Sequence, residues 1–103
     1  MTIEILDRAS HDFLEGFRFY EKQREGLGWY FSDSLMADIE SLQLYAGVHA
    51  THLGYYRMIA RRFPFAIYYR LEDDKILVHA VLDCRRNPAW IRRRLTHGEY
   101  LDE

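Results

Sequence analysis

Apolar and polar residues alternate through the second half of the chain, and this alternation predicts three consecutive β-strands. Residues 55–62 form the first of them. In the second strand, the residues predicted to face the core are Phe65, Ile67, Tyr69 and Leu71. Residues 72–75 are polar and predict a tight turn. Residues 76–82 are apolar on both faces except at His79, which is typical of a central strand covered on both sides.

The first half of the chain shows apolar residues at helical spacing after a short predicted strand at residues 2–6. The two apolar stripes contain Phe13, Leu14, Phe17 and Tyr20, and then Phe31, Leu35, Ile39 and Leu42. Residues 26–28, Gly-Leu-Gly, interrupt the helical pattern, so we expect two helices that form an antiparallel hairpin on the sheet. Either Asp7 or Ser10 is expected to cap the first helix.

Two further segments complete the predicted domain. Residues 46–54 are the least regular part of the chain and are expected to form a loop. Asn87 and Pro88 predict the start of a third helix, because asparagine caps helices well and proline at the first helical position loses no hydrogen bond. We therefore expect one domain over residues 1–95 and a C-terminal tail over residues 96–103.

Three segments together resemble the ParE/RelE toxin superfamily, the small toxins of type II toxin–antitoxin (plasmid stabilisation) modules. RRFPF at residues 61–65 precedes the middle predicted strand, CRRNP at residues 84–88 follows the last one, and residues 17–35 resemble the family's link between two helices. The resemblance covers residues 3–95. It implies an α+β fold of order β-α-α-β-β-β-(α), with a helical hairpin packed on a small, twisted, mainly antiparallel sheet.

Charge is distributed unevenly along the 103 residues, although the net charge is only −2. Residues 1–54 contain four Lys/Arg and nine Asp/Glu, whereas residues 55–95 contain ten and four. A basic sheet half beside an acidic helical half favours an anionic target or an acidic partner segment on one face. Charges that merely segregate on a globular surface are the alternative interpretation.

Composition also bounds the cellular setting. No apolar run approaches the roughly 18 residues that span a bilayer, and the acidic start does not fit a signal peptide. Cys84 is the one cysteine, which agrees with a reducing cytoplasm. His49 and His52 lack the acid or cysteine partners of a metal site. We expect a cytoplasmic protein without membrane association, metal or cofactor.

Arginines near strand ends are the first candidates for function. Arg85 and Arg86 follow the last predicted strand and precede a helix start, where arginine and free backbone amides can grip a phosphate together. Arg57 and Arg61 are predicted to share one face of the strand at residues 55–62, and they could join Arg85 in one basic patch if that strand lies beside the last one. These four residues are the candidates for target or phosphate binding, and Arg61, Arg85 and Arg86 for catalysis. A structural ion pair, for instance with Asp83, is the alternative.

The superfamily resemblance implies one of two activities. RelE-like toxins cut messenger RNA on the ribosome, whereas ParE-like toxins act on DNA gyrase and have no recognised nuclease residues. A catalytic arginine of RelE-like sequences often follows the position of Phe65, but this chain has Ala66 there. His97 and Tyr100 do not match the C-terminal acid/base pair of some nucleases, and the negative net charge disfavours docking on ribosomal RNA. ParE-like is therefore the better interpretation, and whether the chain is an enzyme stays open.

The resemblance also implies a cognate antitoxin whose disordered segment folds onto the toxin. Trp29, Tyr30 and Trp90 are the expected aromatic anchors of that contact. Gyrase, or the ribosome with its message, is the expected target. The sequence leaves open whether the chain forms a homo-oligomer or a hetero-oligomer with the antitoxin. An inactive interaction module that retains the fold is a further alternative.

Overall fold

The backbone of residues 1–101 and the side chains of residues 1–96 are described by a computed structural model. The elements follow the chain as β1 (Thr2–Ile5), α1 (Asp7–Gln23), α2 (Leu27–Glu40), α3 (Leu42–Tyr45), β2 (Thr51–His52), β3 (Tyr55–Ile59), β4 (Phe65–Glu72), β5 (Lys75–Asp83) and α4 (Pro88–Leu101). In this part of the chain, no helix is both long enough and apolar enough to cross a membrane.

The five strands form one mixed sheet in the order β1-β5-β4-β3-β2. β1 is parallel to β5, and the other three pairs are antiparallel. β4 and β5 are joined by a two-residue turn in which Asp73 has a φ of 55°, a conformation that aspartate tolerates. The predicted α+β fold with a mainly antiparallel sheet is thereby confirmed.

The α1–α2 hairpin covers one face of the sheet through an aromatic core. The two predicted stripes meet at Phe31, which is 0% exposed, while Leu14 lies outside the core and is exposed. A side chain at Gly16 would place its Cβ 2.5 Å from the Phe31 ring, so glycine is required for this close approach of the helices. Glu21 accepts hydrogen bonds from the backbone amides of Gly26 and Gly28, which holds the turn between α1 and α2.

The opposite face of the sheet carries a second, smaller core beneath α4. Its buried residues are Tyr55, Ala66, Tyr68, Ala80, Leu82 and Leu95. A β-bulge makes this core possible, because Tyr68 pairs with Ala80 while Tyr69 pairs with Val78, which leaves His79 as the extra residue. The bulge shifts the alternation of β5 by one residue, so the strand buries apolar side chains on both faces as its sequence predicted.

Four local predictions differ from the structure. The expected loop at residues 46–54 contains the short strand β2, which pairs with β3. β3 ends at Ile59 rather than at residue 62, and α1 begins at Asp7, with Leu6 at the N-cap position and no side-chain cap. α4 continues to Leu101, into the segment predicted as a tail.

Candidate functional site

Four candidate arginines lie at the end of the sheet where β3 and β5 end and β4 begins. We call Arg57, Arg61, Arg85 and Arg86 the arginine end. Strand pairing brings this region together, because Phe65 at the start of β4 is opposite Asp83 at the end of β5. The backbone amide of Ala60, just after β3, donates to the carbonyl of Phe65. The four arginines therefore lie at one end of the sheet, but β4 separates β3 from β5, so β3 is not beside the last strand as one basic patch required.

Arg85 forms an ion pair within its own segment. Its Nε and Nη2 atoms lie 3.0 Å and 2.8 Å from the two carboxylate oxygens of Asp83. This bidentate contact raises the pKa of Arg85, and it lowers the pKa of Asp83 below its usual range. The Asp83 contact is the structural alternative that the sequence left open, and an anion that binds Arg85 has to compete with it.

Arg86 contacts an aromatic ring instead of an acid. Its guanidinium carbon lies 3.9 Å from the centre of the Trp90 ring, one turn into α4. Asn87 caps the helix as predicted, since its Oδ1 accepts from the Ala89 amide at 2.7 Å. The cap occupies one of the amides that were predicted to assist Arg86 in binding phosphate.

Arg57 and Arg61 lie on opposite faces of the sheet, so the prediction that they share one face is wrong. Arg57 donates to the Tyr68 hydroxyl at 3.2 Å and lies 3.7 Å from the Cys84 sulfur, on the α4 side. Arg61 donates to Asp38 of α2, on the hairpin side, through both its backbone amide and its Nε. Their separation follows from the early end of β3, because strand alternation stops at Ile59.

Each guanidinium of the arginine end is thus held by its own partner. The hydrogen bond from Arg57 to the Tyr68 hydroxyl also raises the pKa of Arg57. Tyr20, which interacts with Arg85, is a poor general base because burial raises its pKa. Ala66 is 0% exposed in the core under α4, so that position presents nothing to a substrate. The described residues of this end form a cation-rich surface whose nearby carboxylates, Asp38 and Asp83, are each bound to an arginine.

Three of the described histidines contact tyrosine side chains. His49 contacts the Tyr69 hydroxyl, and burial lowers the pKa of His49. His52 and His79 contact the rings of Tyr68 and Tyr55, respectively. Within residues 1–96, no three His, Cys, Asp or Glu side chains are arranged to hold a metal ion. The side chains of His97 and Tyr100 lie outside the described residues.

The three predicted aromatic anchors occupy two surfaces. Trp29 and Tyr30 lie on the hairpin and are 63% and 52% exposed. Each packs against another aromatic ring, Trp29 on Phe17 at 4.8 Å and Tyr30 on Phe63 at 5.5 Å between ring centres. Trp90 is half-buried on α4, on the other side of the sheet. Aromatic side chains fixed in this way suit a protein contact, because little conformational entropy is lost on binding.

Comparison with known proteins gives a structural match rather than a sequence match. No protein-family model and no curated protein sequence matches the chain. A solved structure described as the chromosomal ParDE TA (toxin–antitoxin) system from P. aeruginosa contains a chain that superposes with a TM-score of 0.71. The match covers 79% of this chain and 92% of that chain, at 15% sequence identity. This chain has a ParE-like toxin fold. The resemblance found in the sequence is therefore confirmed at the level of the fold.

The ParE-like domain also has a groove that the sequence did not predict. It has a volume of about 1300 Å³ and lies between α1 and α4. Phe65, Val81 and Leu82 line it from the sheet. The lining cations come from both helices and from residue 86, more than 60 positions from α1 in the sequence. The four-residue spacing of Arg18 and Lys22 indicates that they share one face of α1, but it does not indicate which element lies opposite that face.

Proposed function

We propose that this protein is the toxin of a type II toxin–antitoxin module of the ParE-like kind, acting in the cytoplasm. Its cognate antitoxin neutralises it by folding a disordered segment onto its surface. The observation that carries the proposal is the ParE-like fold, matched over most of both chains to a member of a ParDE toxin–antitoxin system. Exposed rings at Trp29 and Tyr30 support a protein partner, because solvated aromatic side chains are frequent anchors of such contacts.

We propose DNA gyrase as the cellular target. Messenger RNA cleavage needs a general base beside cations that stabilise the phosphorane-like transition state. In the described residues, Arg85 is bound to Asp83, and the nearby Tyr20 has a pKa raised by burial. These features favour the ParE-like activity. The RelE-like alternative retains one supporting observation, the 60% exposure of the Arg85 side chain beside the start of α4.

Induction of this protein in a bacterial host is expected to arrest growth, and coexpression of the adjacent gene's product is expected to restore it. Copurification of the two proteins from the coexpressing cells measures the neutralising complex directly. A folded protein that leaves growth unchanged would instead identify an inactive interaction module. Arrest that the adjacent gene's product neither relieves nor binds would contradict the proposed antitoxin partner.

Arg85→Ala and Arg86→Ala are each expected to leave growth arrest unchanged, because both side chains have structural partners in Asp83 and Trp90. Arg62→Ala, at an exposed position outside the arginine end, is the matched control. The purified protein is expected to inhibit DNA supercoiling by gyrase and to leave translated messenger RNA intact in primer extension. Cuts within translated codons, together with loss of arrest in either folded variant, would assign the RelE-like nuclease activity instead.

A further inference from the structure

The groove between α1 and α4 exists because two strands differ in length. β1 pairs with β5 only as far as Ile5 opposite Val78, whereas β5 continues to Asp83. In the described residues no strand covers the rest of this edge, and the Asp12 carboxylate of α1 accepts the Val81 amide instead. The Val81 amide on this edge of the sheet therefore has a hydrogen-bond acceptor, while the space between the two helices stays open.

Two of the four acids that line the groove are neutralised by arginine neighbours. Asp12 pairs with Arg94 of α4, and both side chains are about nine-tenths buried. Asp83 pairs with Arg85. These two carboxylates therefore have little negative charge left to repel an anionic ligand, whereas Asp7 and Glu15 have no arginine or lysine partner among the described ion pairs.

The cations of the groove are not neutralised in the same way. Arg18 and Lys22 line it from α1, and Arg86 and Arg93 line it from the α4 side. Within residues 1–96, none of these four forms an ion pair. These four cations line the same groove as the apolar side chains of Phe65, Val81 and Leu82.

An aromatic ring accompanies the cations on each wall. Phe19 lies between Arg18 and Lys22 in the sequence of α1 and is 52% exposed. Trp90 lies on α4 beneath the Arg86 guanidinium. Cations alternating with apolar rings favour a ligand that has carboxylates and apolar side chains together, as an acidic amphipathic peptide does.

We propose that this groove is the docking site for an acidic amphipathic segment of the antitoxin. Its carboxylates meet Arg18, Lys22 and Arg93, and its apolar side chains contact Phe19 and Trp90. The proposal rests on the proposed function, because that function supplies the partner. A peptide suits the groove better than a nucleic acid, since it can place carboxylates opposite the cations alone. A nucleic acid strand carries a phosphate at every position and would meet Asp7 and Glu15 as well.

The first test reverses charge inside and outside the groove. Arg18→Glu with Arg93→Glu is expected to weaken binding of the purified adjacent-gene product about tenfold or more at physiological salt. Arg24→Glu with Arg92→Glu is the matched control, because both residues are exposed on the same segments but lie outside the groove. The control is expected to change the dissociation constant less than about twofold. Circular dichroism establishes that both variants are folded.

Equal weakening in the two double variants, or none in either, would overturn the groove proposal while the proposed function stands. Failure of the wild-type protein to bind the adjacent-gene product would contradict the proposed partner instead. A second test then examines binding of acidic peptides to the groove without the adjacent-gene product. It uses a synthetic helical peptide of glutamate and leucine, with a lysine-for-glutamate version and a single-stranded RNA oligonucleotide as comparisons.

Amide resonances of the protein report where each of these probes binds. The acidic peptide is expected to shift resonances around Arg18, Phe19 and Trp90, and these shifts are expected to diminish in the Arg18→Glu, Arg93→Glu protein and at high salt. The lysine peptide is expected to shift none of them. Shifts elsewhere, equal shifts with the lysine peptide, or tighter binding of the RNA at the same salt concentration would each overturn the proposal.

Discussion

Replacing Phe31 by alanine is expected to lower the free energy of unfolding by about 3–5 kcal/mol. Phe31 is 0% exposed and contacts rings of α1 and of the sheet side, including Tyr20 at 5.1 Å and Phe65 at 4.9 Å between centres. Alanine would leave a cavity where the hairpin meets the sheet. Because Gly16 already brings the helices as close as they can pack, little collapse can fill that cavity.

Urea denaturation followed by circular dichroism measures this loss. Phe19→Ala is the matched control, because Phe19 is 52% exposed on the same hairpin, and its expected cost is below about 1 kcal/mol. Similar midpoints for the two variants would contradict the assignment of Phe31 to the centre of the core. A stable Phe31→Ala protein would also imply that the hairpin is held mainly by contacts other than its aromatic residues.

The sequence was sufficient to predict this hairpin because its information is local. The stripe containing Phe31, Leu35 and Ile39 repeats at helical spacing, and the glycines at the turn end one helix before the next begins. The turn at Asp73 was equally local. Helix spacing, strand alternation and tight turns each depend on residues a few positions apart, which is why these elements were predicted correctly.

The positions of the arginine side chains depended instead on contacts between distant residues. Arg61 meets Asp38, 23 positions earlier in the chain, and this contact draws it to the hairpin side. Alternation alone predicted that Arg57 and Arg61 share a face, which would require β3 to continue through residue 61. The sequence offered no means of locating the end of β3, because Ala60 and Arg61 fit the alternating pattern.

The bulge at His79 explains a further difference between pattern and structure. Strict alternation from Ile76 and Val78 would place Ala80 on the hairpin face, yet Ala80 lies in the core under α4. The apolar run of β5 contains acceptable residues for either face, so its sequence did not specify the register. The bulge also sets which residues of β5 line the groove, and for that reason the groove could not be predicted from the pattern.

Replacing Arg94 by leucine is expected to be the second strongly destabilising change, costing about 3–5 kcal/mol at pH 7. Arg94 and Asp12 form an ion pair in which the side chains are 8% and 10% exposed. Arg94 also donates to the backbone carbonyl of Arg8, so it fixes α4 against α1 at the groove. Without Arg94, the buried Asp12 carboxylate retains only the Val81 amide as a described hydrogen-bond donor.

The cost of Arg94→Leu is expected to depend on pH. Burial already raises the pKa of Asp12 above its ordinary value of 3.8, while Arg94 acts in the opposite direction. Removing Arg94 therefore raises the pKa of Asp12 further in the folded state. A carboxyl whose pKa is higher when folded than when unfolded stabilises the fold at low pH, and that contribution is lost as the pH rises through the folded pKa. The difference between variant and wild type should shrink as the pH falls from 7 towards about 4.

Urea denaturation at several pH values, with two companion proteins, separates this cause from simple loss of packing. Arg93→Leu changes an exposed arginine on the same helix and is expected to cost less than about 0.5 kcal/mol at every pH. Arg94→Leu combined with Asp12→Asn removes the buried charge and keeps an oxygen that can accept the Val81 amide. This double variant is expected to recover much of the lost stability and to lose the pH dependence. A cost that is the same at pH 4 and pH 7, or that Asp12→Asn does not relieve, would show that α4 is held against α1 by its apolar contacts rather than by the Asp12–Arg94 ion pair.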